Sequence, residues 1–111
     1  MDTKYAKIYW NTQYLQLRSR GIRQGEKFYT VLCNAEEMQI QEAWSVWVVS
    51  DRQIDGTTYD SVIAFSFLMD NPASRSRFEQ LTPGTTFFLL EGPHLLGHGV
   101  VVEQQGESYE V

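Results

Sequence analysis

Along much of the chain, apolar and polar residues alternate with a period of two, which is typical of β-strands with one buried face. In the first such stretch two sets of residues interleave, Ala6, Ile8 and Trp10 on one face and Tyr5, Lys7 and Tyr9 on the other. The alternation returns over residues 27–33. We therefore predict two early strands, the first with a solvent-facing side that carries tyrosine and lysine.

Two further strands are predicted in the middle of the chain. Residues 43–50 give the strongest signal, because they are almost all β-branched or aromatic from Trp44 to Val49. The Asp55-Gly56 pair predicts a turn, and a strand over residues 58–69 follows it. That strand is apolar on both faces, as is common at the centre of a barrel or sandwich wall.

The last third of the chain predicts one short helix and two closing strands. The helix covers residues 72–81, with a capping residue before Pro72 and with Phe78 and Leu81 facing inward. A Thr-Pro-Gly-Thr type II turn follows at residues 82–85. The final strands are predicted over the following ranges: 85–91 and 95–103, joined across 92–94.

Three segments lack a regular pattern. Residues 18–25 are polar and punctuated by glycine, which predicts a loop. Residues 34–42 are ambiguous between a single helical turn and an irregular connection. Residues 104–111 are predicted to be an acidic, frayed tail.

Short strands separated by regular turn signals predict an all-β fold. Closing the sheet on itself would remove the hydrophobic strand edges that otherwise promote aggregation. We therefore predict a closed six-stranded antiparallel β-barrel with one short helix, formed by a single domain over residues 1–103.

Composition fits a small globular domain, since the 111 residues are 42% hydrophobic and 21% charged. Nine Lys and Arg against fourteen Asp and Glu give a net charge of −5, which argues against a globally basic nucleic-acid binder. No apolar run approaches the roughly 20 residues of a transmembrane helix. The lone Cys33 cannot form an internal disulfide. We predict a cytoplasmic protein with no membrane partner.

The charge is unevenly distributed along the chain. Residues 4–27 hold six basic residues and one acidic residue, whereas residues 28–111 hold three basic and twelve acidic residues. This basic segment could attract an anionic partner, or it could pair with acidic residues of the same molecule, and the sequence leaves both open. Its candidate contact residues are Arg18, Arg20 and Arg23.

No residue pattern points to catalysis or to a cofactor. The phosphate-binding Gly-x4-Gly-Lys-Ser/Thr motif is absent. Gly97-His98-Gly99 lies in a predicted strand, where its glycines indicate a bulge or close packing. His94 and His98 lack the further ligands of a metal site, and Cys33 has no activating base nearby in sequence. We predict no enzyme activity, no cofactor and no metal.

Aromatic residues make up 14% of the chain, and the Trp and Tyr rings outnumber those that a small barrel can enclose. Tyr and Trp at a surface favour protein interfaces, because they bury a large area at a low entropy cost. We predict that Tyr5, Tyr9 and Trp47 form an exposed cluster bordered by Lys7. The alternative is that these rings cover the ends of the barrel.

The last hairpin carries a resemblance to a known domain. It runs Leu-Thr-Pro-Gly-Thr-Thr-Phe-Phe-Leu-Leu-Glu-Gly over residues 81–92 and Gly-His-Gly-Val-Val over residues 97–101. These motifs resemble the final hairpin of the carboxy-terminal β-barrel domain of elongation factor Tu. They are more similar still to small stand-alone bacterial proteins built on that barrel, which also have Ala-Lys-Ile-Tyr-Trp and Trp-Ser-Val stretches, here at residues 6–10 and 44–46. The resemblance implies the barrel fold, and it implies little about function because the shared motifs are structural.

Three functions are compatible with these features. The first is a non-catalytic interaction module that binds a protein partner or self-associates through its aromatic cluster. The second is RNA binding by the basic segment, by analogy with a barrel that contacts transfer RNA, although the net acidity opposes it. The third is a small acidic antitoxin or immunity-type inhibitor, suggested by size and charge alone.

Overall fold

The computed structural model describes residues 3–18, 20–34 and 43–103. In chain order these residues form eight elements: β1 (Lys4–Trp10), α1 (Thr12–Leu17), β2 (Lys27–Asn34), β3 (Ala43–Ser50), β4 (Asp60–Phe67), α2 (Pro72–Glu79), β5 (Thr86–Glu91) and β6 (His94–Val102). Each strand lies within two residues of its predicted bounds. Alternation, β-propensity and turn signals together therefore located all six strands correctly.

The strands form one closed barrel in the order β1-β4-β3-β2-β5-β6, with β6 pairing back onto β1. Every neighbouring pair is antiparallel. Ile8 on β1, for example, lies opposite Ser61 on β4 and opposite Gly99 on β6. The predicted closed six-stranded antiparallel barrel is confirmed, whereas the likeness to elongation factor Tu stays a prediction.

Alternate residues of each strand fill the interior of the barrel. On β1, Ala6, Ile8 and Trp10 are buried, as predicted. They belong to one hydrophobic cluster that includes Phe65 and Phe87, whose ring centroids lie 5.6 Å apart. Full burial of side chains of this size contributes about 1.5–3 kcal/mol each. The intervening residues of the same strands form the outer wall.

The two glycines of β6 let this strand pass close to its neighbours. A Cβ at Gly99 would lie 2.5 Å from Cδ1 of Ile8 and 2.6 Å from Cζ of Phe87. A Cβ at Gly97 would lie 2.9 Å from the carbonyl oxygen of Tyr9. The close packing predicted for this motif is confirmed.

Helix α2 closes one end of the barrel. Its N-terminus is a capping box, in which the Asn71 side chain accepts from the Ser74 N–H and the Ser74 hydroxyl accepts from the Asn71 N–H. Phe78 packs against the rings of Phe65 and Phe67 at centroid distances of 6.1 and 5.1 Å. The helix ends at Glu79, slightly before the predicted residue 81.

Lys4 fixes the C-terminal end of α2 to β1. Its Nζ donates to the carbonyl oxygens of Phe78 and Leu81 at 2.6 and 2.8 Å. Burial lowers the pKa of Lys4. Phe78 and Leu81 are themselves buried, as the sequence predicted.

Helix α1 lies at the opposite end of the barrel. The sequence predicted a single helix, which is wrong because α1 is a second one. Asn11 begins the helix by accepting a hydrogen bond from the Tyr14 N–H, and Leu15 is its buried residue. A six-residue helix with one buried side chain has no apolar repeat that sequence analysis could detect. Nearby, Ile22 and Ile54 are paired by two backbone hydrogen bonds of 2.8 Å.

Two predicted segments fall largely outside the described residues. Of the ambiguous stretch 34–42, the described part is Asn34, which ends β2. The predicted tail, residues 104–111, also lies outside them, so the domain boundary stays a prediction. Within the described residues, neither helix has the length and apolar character needed to cross a membrane.

Candidate interaction surface

Four of the seven predicted contact residues lie on the outer wall of the barrel, on two strands that are separated by β4. Tyr5, Lys7 and Tyr9 alternate along β1, and Trp47 lies on β3. Between β1 and β3, strand β4 places the short side chain of Ala64 opposite Tyr5. The outer side of β1, β4, β3 and β2, which curves around about half of the closed barrel, is called the aromatic face below. Its defining residues are Tyr5, Lys7, Tyr9, Tyr29, Trp47, Val49, Val62 and Ala64.

A recess of about 150 Å³ lies within the aromatic face. Its outward-facing apolar walls are half-buried side chains, namely Tyr5, Val49, Val62 and Ala64. The strand registers place Ala64 between Tyr5 on β1 and Val49 on β3. Because Ala64 is shorter than both neighbours, the wall dips there and leaves an apolar hollow.

Two lysine–aromatic pairs lie on the aromatic face, where Lys7 is opposite Val62 and Lys27 is opposite Val49. Nζ of Lys27 lies 4.8 Å from the ring centroid of Trp47, and Nζ of Lys7 lies 5.4 Å from that of Tyr9. A cation over a ring face contributes about 0.5–1 kcal/mol at an exposed site. Lys7 also lies 3.7 Å from Asp60, in an ion pair that water largely screens. The lysines therefore stabilise the positions of the Trp47 and Tyr9 rings, and both rings remain partly exposed to solvent.

Tyr29 extends the aromatic face onto β2 and was missed among the candidate residues. It lies opposite Trp47 and is 60% exposed. The signal was present in the sequence, since Tyr29 alternates with the inward-facing Phe28 and Thr30. What the sequence did not supply was the pairing of β2 with β3, which places Tyr29 beside Trp47.

Tyr9 marks the end of the aromatic face nearest α1. Its ring is 41% exposed and stacks on His98 of β6, with centroids 5.2 Å apart and planes 21° apart. Tyr9 and His98 are direct neighbours in the register of β1 and β6. The exposed aromatic surface therefore continues from β1 onto β6.

Arg18, in contrast, is held within the molecule near α1. Its guanidinium donates from Nε and Nη2 to the two carboxylate oxygens of Glu91 at 2.7 and 2.5 Å. The Tyr14 hydroxyl donates to the same carboxylate. These hydrogen bonds, that of Arg18 first, hold the pKa of Glu91 below its usual range. This contact joins α1 to the β5–β6 hairpin.

The other two arginines of the basic segment differ from each other. Arg20 lies 3.1 Å from Glu26, with most of its side chain in solvent. Arg23 is exposed, and its side chain makes no hydrogen bond or ion pair with another described residue. Of the two possibilities left open by the sequence, internal pairing therefore holds for Arg18 and Arg20.

The histidines and the cysteine do not come together into a reactive group. His94 stacks on Tyr14 at 4.7 Å, whereas His98 stacks on Tyr9. Cys33 is 5% exposed, and burial raises the pKa of its thiol. Across residues 3–18, 20–34 and 43–103, no three metal-ligating side chains cluster in a way that could hold an ion. The arrangement on the aromatic face is suited to binding through apolar contact.

The fold and this surface define a closed β-barrel with a partly exposed aromatic wall. No family model, no curated protein and no solved structure matches the chain.

Proposed function

We propose that the protein is a non-catalytic interaction module that binds another protein surface through its aromatic face. The observation that carries this proposal is the apolar recess beside Tyr5, on the outside of a barrel whose interior is already filled by its own core. Tyr and Trp combine an apolar body with a polar tip, which makes them the anchors of many protein interfaces.

The composition of the face supports a protein partner. Val49, Val62 and Ala64 are half-buried, so a partner that covers them removes further apolar area from water. Such burial contributes about 25 cal/mol per Å². Because the residues lie on paired strands of a closed barrel, little backbone ordering opposes the association.

The charges support a protein partner over RNA. Within the basic segment, four of the six cations contact oxygens of the same molecule: Lys4, Lys7, Arg18 and Arg20. Affinity for RNA depends on several cations that neutralise phosphates. The RNA and inhibitor alternatives, like the cytoplasmic location, remain predictions from the sequence.

The test compares variants of the tagged full chain. Trp47→Ser removes a ring from the aromatic face, and Tyr59→Ser is the matched control, since Tyr59 is 78% exposed but lies outside the face. Partners are recovered from cells by affinity purification and quantified by mass spectrometry, and the oligomeric state is measured by light scattering. A loss of about 1.4 kcal/mol corresponds to a tenfold loss of binding.

We expect Trp47→Ser to reduce at least one specific association about tenfold or more, and Tyr59→Ser to leave it intact. The proposal is contradicted if every recovered partner and the oligomeric state are the same in both variants and in the original chain. In parallel, an RNA mobility shift at low salt that Trp47→Ser leaves unchanged would favour the RNA alternative.

A further inference from the structure

We infer that helix α1 is a cap that opens from the end of the barrel while the strands stay paired, and that the carboxylate of Glu91 holds this cap closed. The cap lies at the end of the barrel, so its opening does not depend on the proposed function of the outer wall. Three observations support it: the small apolar contact of α1, the convergence of its polar contacts on one carboxylate, and the attachment of its N-cap residue to β6.

The apolar contact of α1 with the barrel is small. Leu15 is the buried residue of the helix and belongs to the hydrophobic cluster of the barrel, against which the half-buried Tyr14 also packs. Leu17 of the same helix is 83% exposed. Helix α2, in contrast, packs the buried Phe78 against two aromatic rings of the core. Elements with few buried apolar contacts open at the lowest free energy, so we expect α1 to open before α2 and before the strands.

The polar contacts of α1 converge on one carboxylate of the barrel. Arg18, the C-cap of α1, donates from Nε and Nη2 to the two carboxylate oxygens of Glu91, and the Tyr14 hydroxyl donates to Oε1 of the same group. Glu91 ends β5 and lies opposite His94 of β6, whose ring stacks on that of Tyr14. Hydrogen bonds to a charged group are roughly twice as strong as neutral ones. A single barrel residue therefore holds two residues of the α1 segment.

Asn11, the N-cap of α1, is the hinge of the cap. Its side chain and its backbone N–H each donate to a carbonyl oxygen of β6, at 2.8 and 2.9 Å, and neither bond involves Glu91. A further contact of the helix, from Nε2 of Gln16 to the carbonyl oxygen of Gly56, is exposed and 3.3 Å long. When the Glu91 contacts break, α1 can therefore turn about Asn11. This movement takes Leu15 out of the hydrophobic cluster and opens the end of the barrel to solvent.

The experiment is native-state hydrogen exchange of the full chain, followed by NMR at several low denaturant concentrations. The probes are the backbone N–H groups of Leu15 and Arg18, which donate to the carbonyl oxygens of Asn11 and Leu15. The paired strands β3 and β4 supply the reference amides. The denaturant dependence of an opening reaction scales with the surface that it exposes, so it distinguishes release of the cap from unfolding of the barrel.

Two variants weaken the closing contact. Glu91→Gln keeps the size of the side chain and removes its charge, whereas Tyr14→Phe removes one hydroxyl and keeps the ring that stacks on His94. Glu26→Gln is the matched control, because Glu26 pairs with Arg20, which lies outside α1. Circular dichroism checks the fold of each variant.

In the original chain, we expect the two α1 amides to exchange about tenfold or more faster than the strand amides, with a weaker dependence on denaturant. Glu91→Gln should speed the exchange of the Leu15 amide about fivefold, and Tyr14→Phe should speed it about twofold. Glu26→Gln should change it by less than about twofold.

One common exchange rate and one common denaturant dependence for Leu15 and the strands would overturn the inference, because α1 and the barrel would then open together. An exchange rate of Leu15 that Glu91→Gln leaves unchanged would also overturn it, because the carboxylate would then not hold the cap. If Glu91→Gln does not fold, Tyr14→Phe decides in its place, and an unchanged rate of Leu15 in that variant overturns the inference.

Discussion

The aromatic face and the basic segment both have the composition of a binding surface, but they differ in how many of their side chains the fold leaves exposed and unpaired. On the face, Tyr9 and Tyr29 remain 41% and 60% exposed, although both lie in strands that pack tightly on the core side. In the basic segment, Arg18 and Arg20 are paired with carboxylates of the same chain. The basic segment therefore has fewer unpaired cations than its sequence suggests, whereas the aromatic face keeps two tyrosine rings in solvent.

The difference has a geometric origin. A strand that faces a core on one side must present every second residue on the other side. An aromatic residue at an outward position therefore cannot be buried in the core of its own barrel. A long cationic side chain beside a helix end or in a loop can reach a neighbouring carboxylate. Outward aromatics on strands are thus more informative about binding than loop cations are.

The largest predicted effect contrasts the inside of the barrel with the aromatic face. Phe65→Ala removes a fully buried ring, and we expect it to lower the free energy of unfolding by about 3–5 kcal/mol. Trp47→Ala should cost about 1 kcal/mol, since it removes a half-exposed ring from the outer wall. Chemical denaturation measures both. Equal losses would mean that Trp47 belongs to the core and is not available for binding.

The next effect contrasts two arginines of the basic segment. Arg18→Gln removes the guanidinium that Glu91 binds, and we expect a loss of about 1 kcal/mol in the free energy of unfolding because the pair is only partly screened. Arg23→Gln should change it by less than about 0.5 kcal/mol. If the two variants lower the free energy of unfolding equally, the ion pair between Arg18 and Glu91 does not stabilise the fold.

A third effect is the pH dependence of stability at the same contact. The pKa of Glu91 is lowered in the folded protein, so its contribution is fully present above the unfolded value of about 4.3 and is lost as the pH falls through the lower folded value. We expect Glu91→Gln to flatten the decline of unfolding free energy in acid. Parallel curves for the variant and the original chain between about pH 2 and pH 7 would contradict the contact.

The smallest predicted effect concerns salt. Because the proposed contact is mainly apolar, raising ionic strength from about 50 to about 300 mM should change the recovery of a partner that depends on Trp47 less than about threefold. A steep, log-linear loss of association with salt would instead indicate that the basic segment makes the contact. Affinity purification with the tagged chain at the two ionic strengths measures this.

Local patterns were sufficient to locate the strands and, on β1, to identify the side that is buried. The alternation of Ala6, Ile8 and Trp10 identified the inner side of β1, and Asn71 with Pro72 located the start of α2. These signals act over a few neighbouring residues, where the chemistry of each side chain and the period of the element leave few alternatives.

Contacts between distant segments were beyond the sequence. Arg18 and Glu91 are 73 positions apart, and no local pattern relates them. Tyr29 and Trp47 are neighbours because β2 pairs with β3. No local pattern in the sequence reveals which strands pair. Helix α1 was missed for a related reason, since it is held by its packing at the barrel end and has a single buried residue, Leu15.

The most direct test of the aromatic face is photo-crosslinking from two positions of the full chain in cells. Tyr29 or Arg23 is replaced by the photoreactive amino acid p-benzoylphenylalanine, which compares one exposed position on the aromatic face with one in the basic segment. We predict a discrete adduct from position 29 that Trp47→Ser weakens, because Trp47 lies opposite Tyr29, and no comparable adduct from position 23. An adduct from position 23 with none from position 29 would contradict the assignment of the aromatic face as the binding surface.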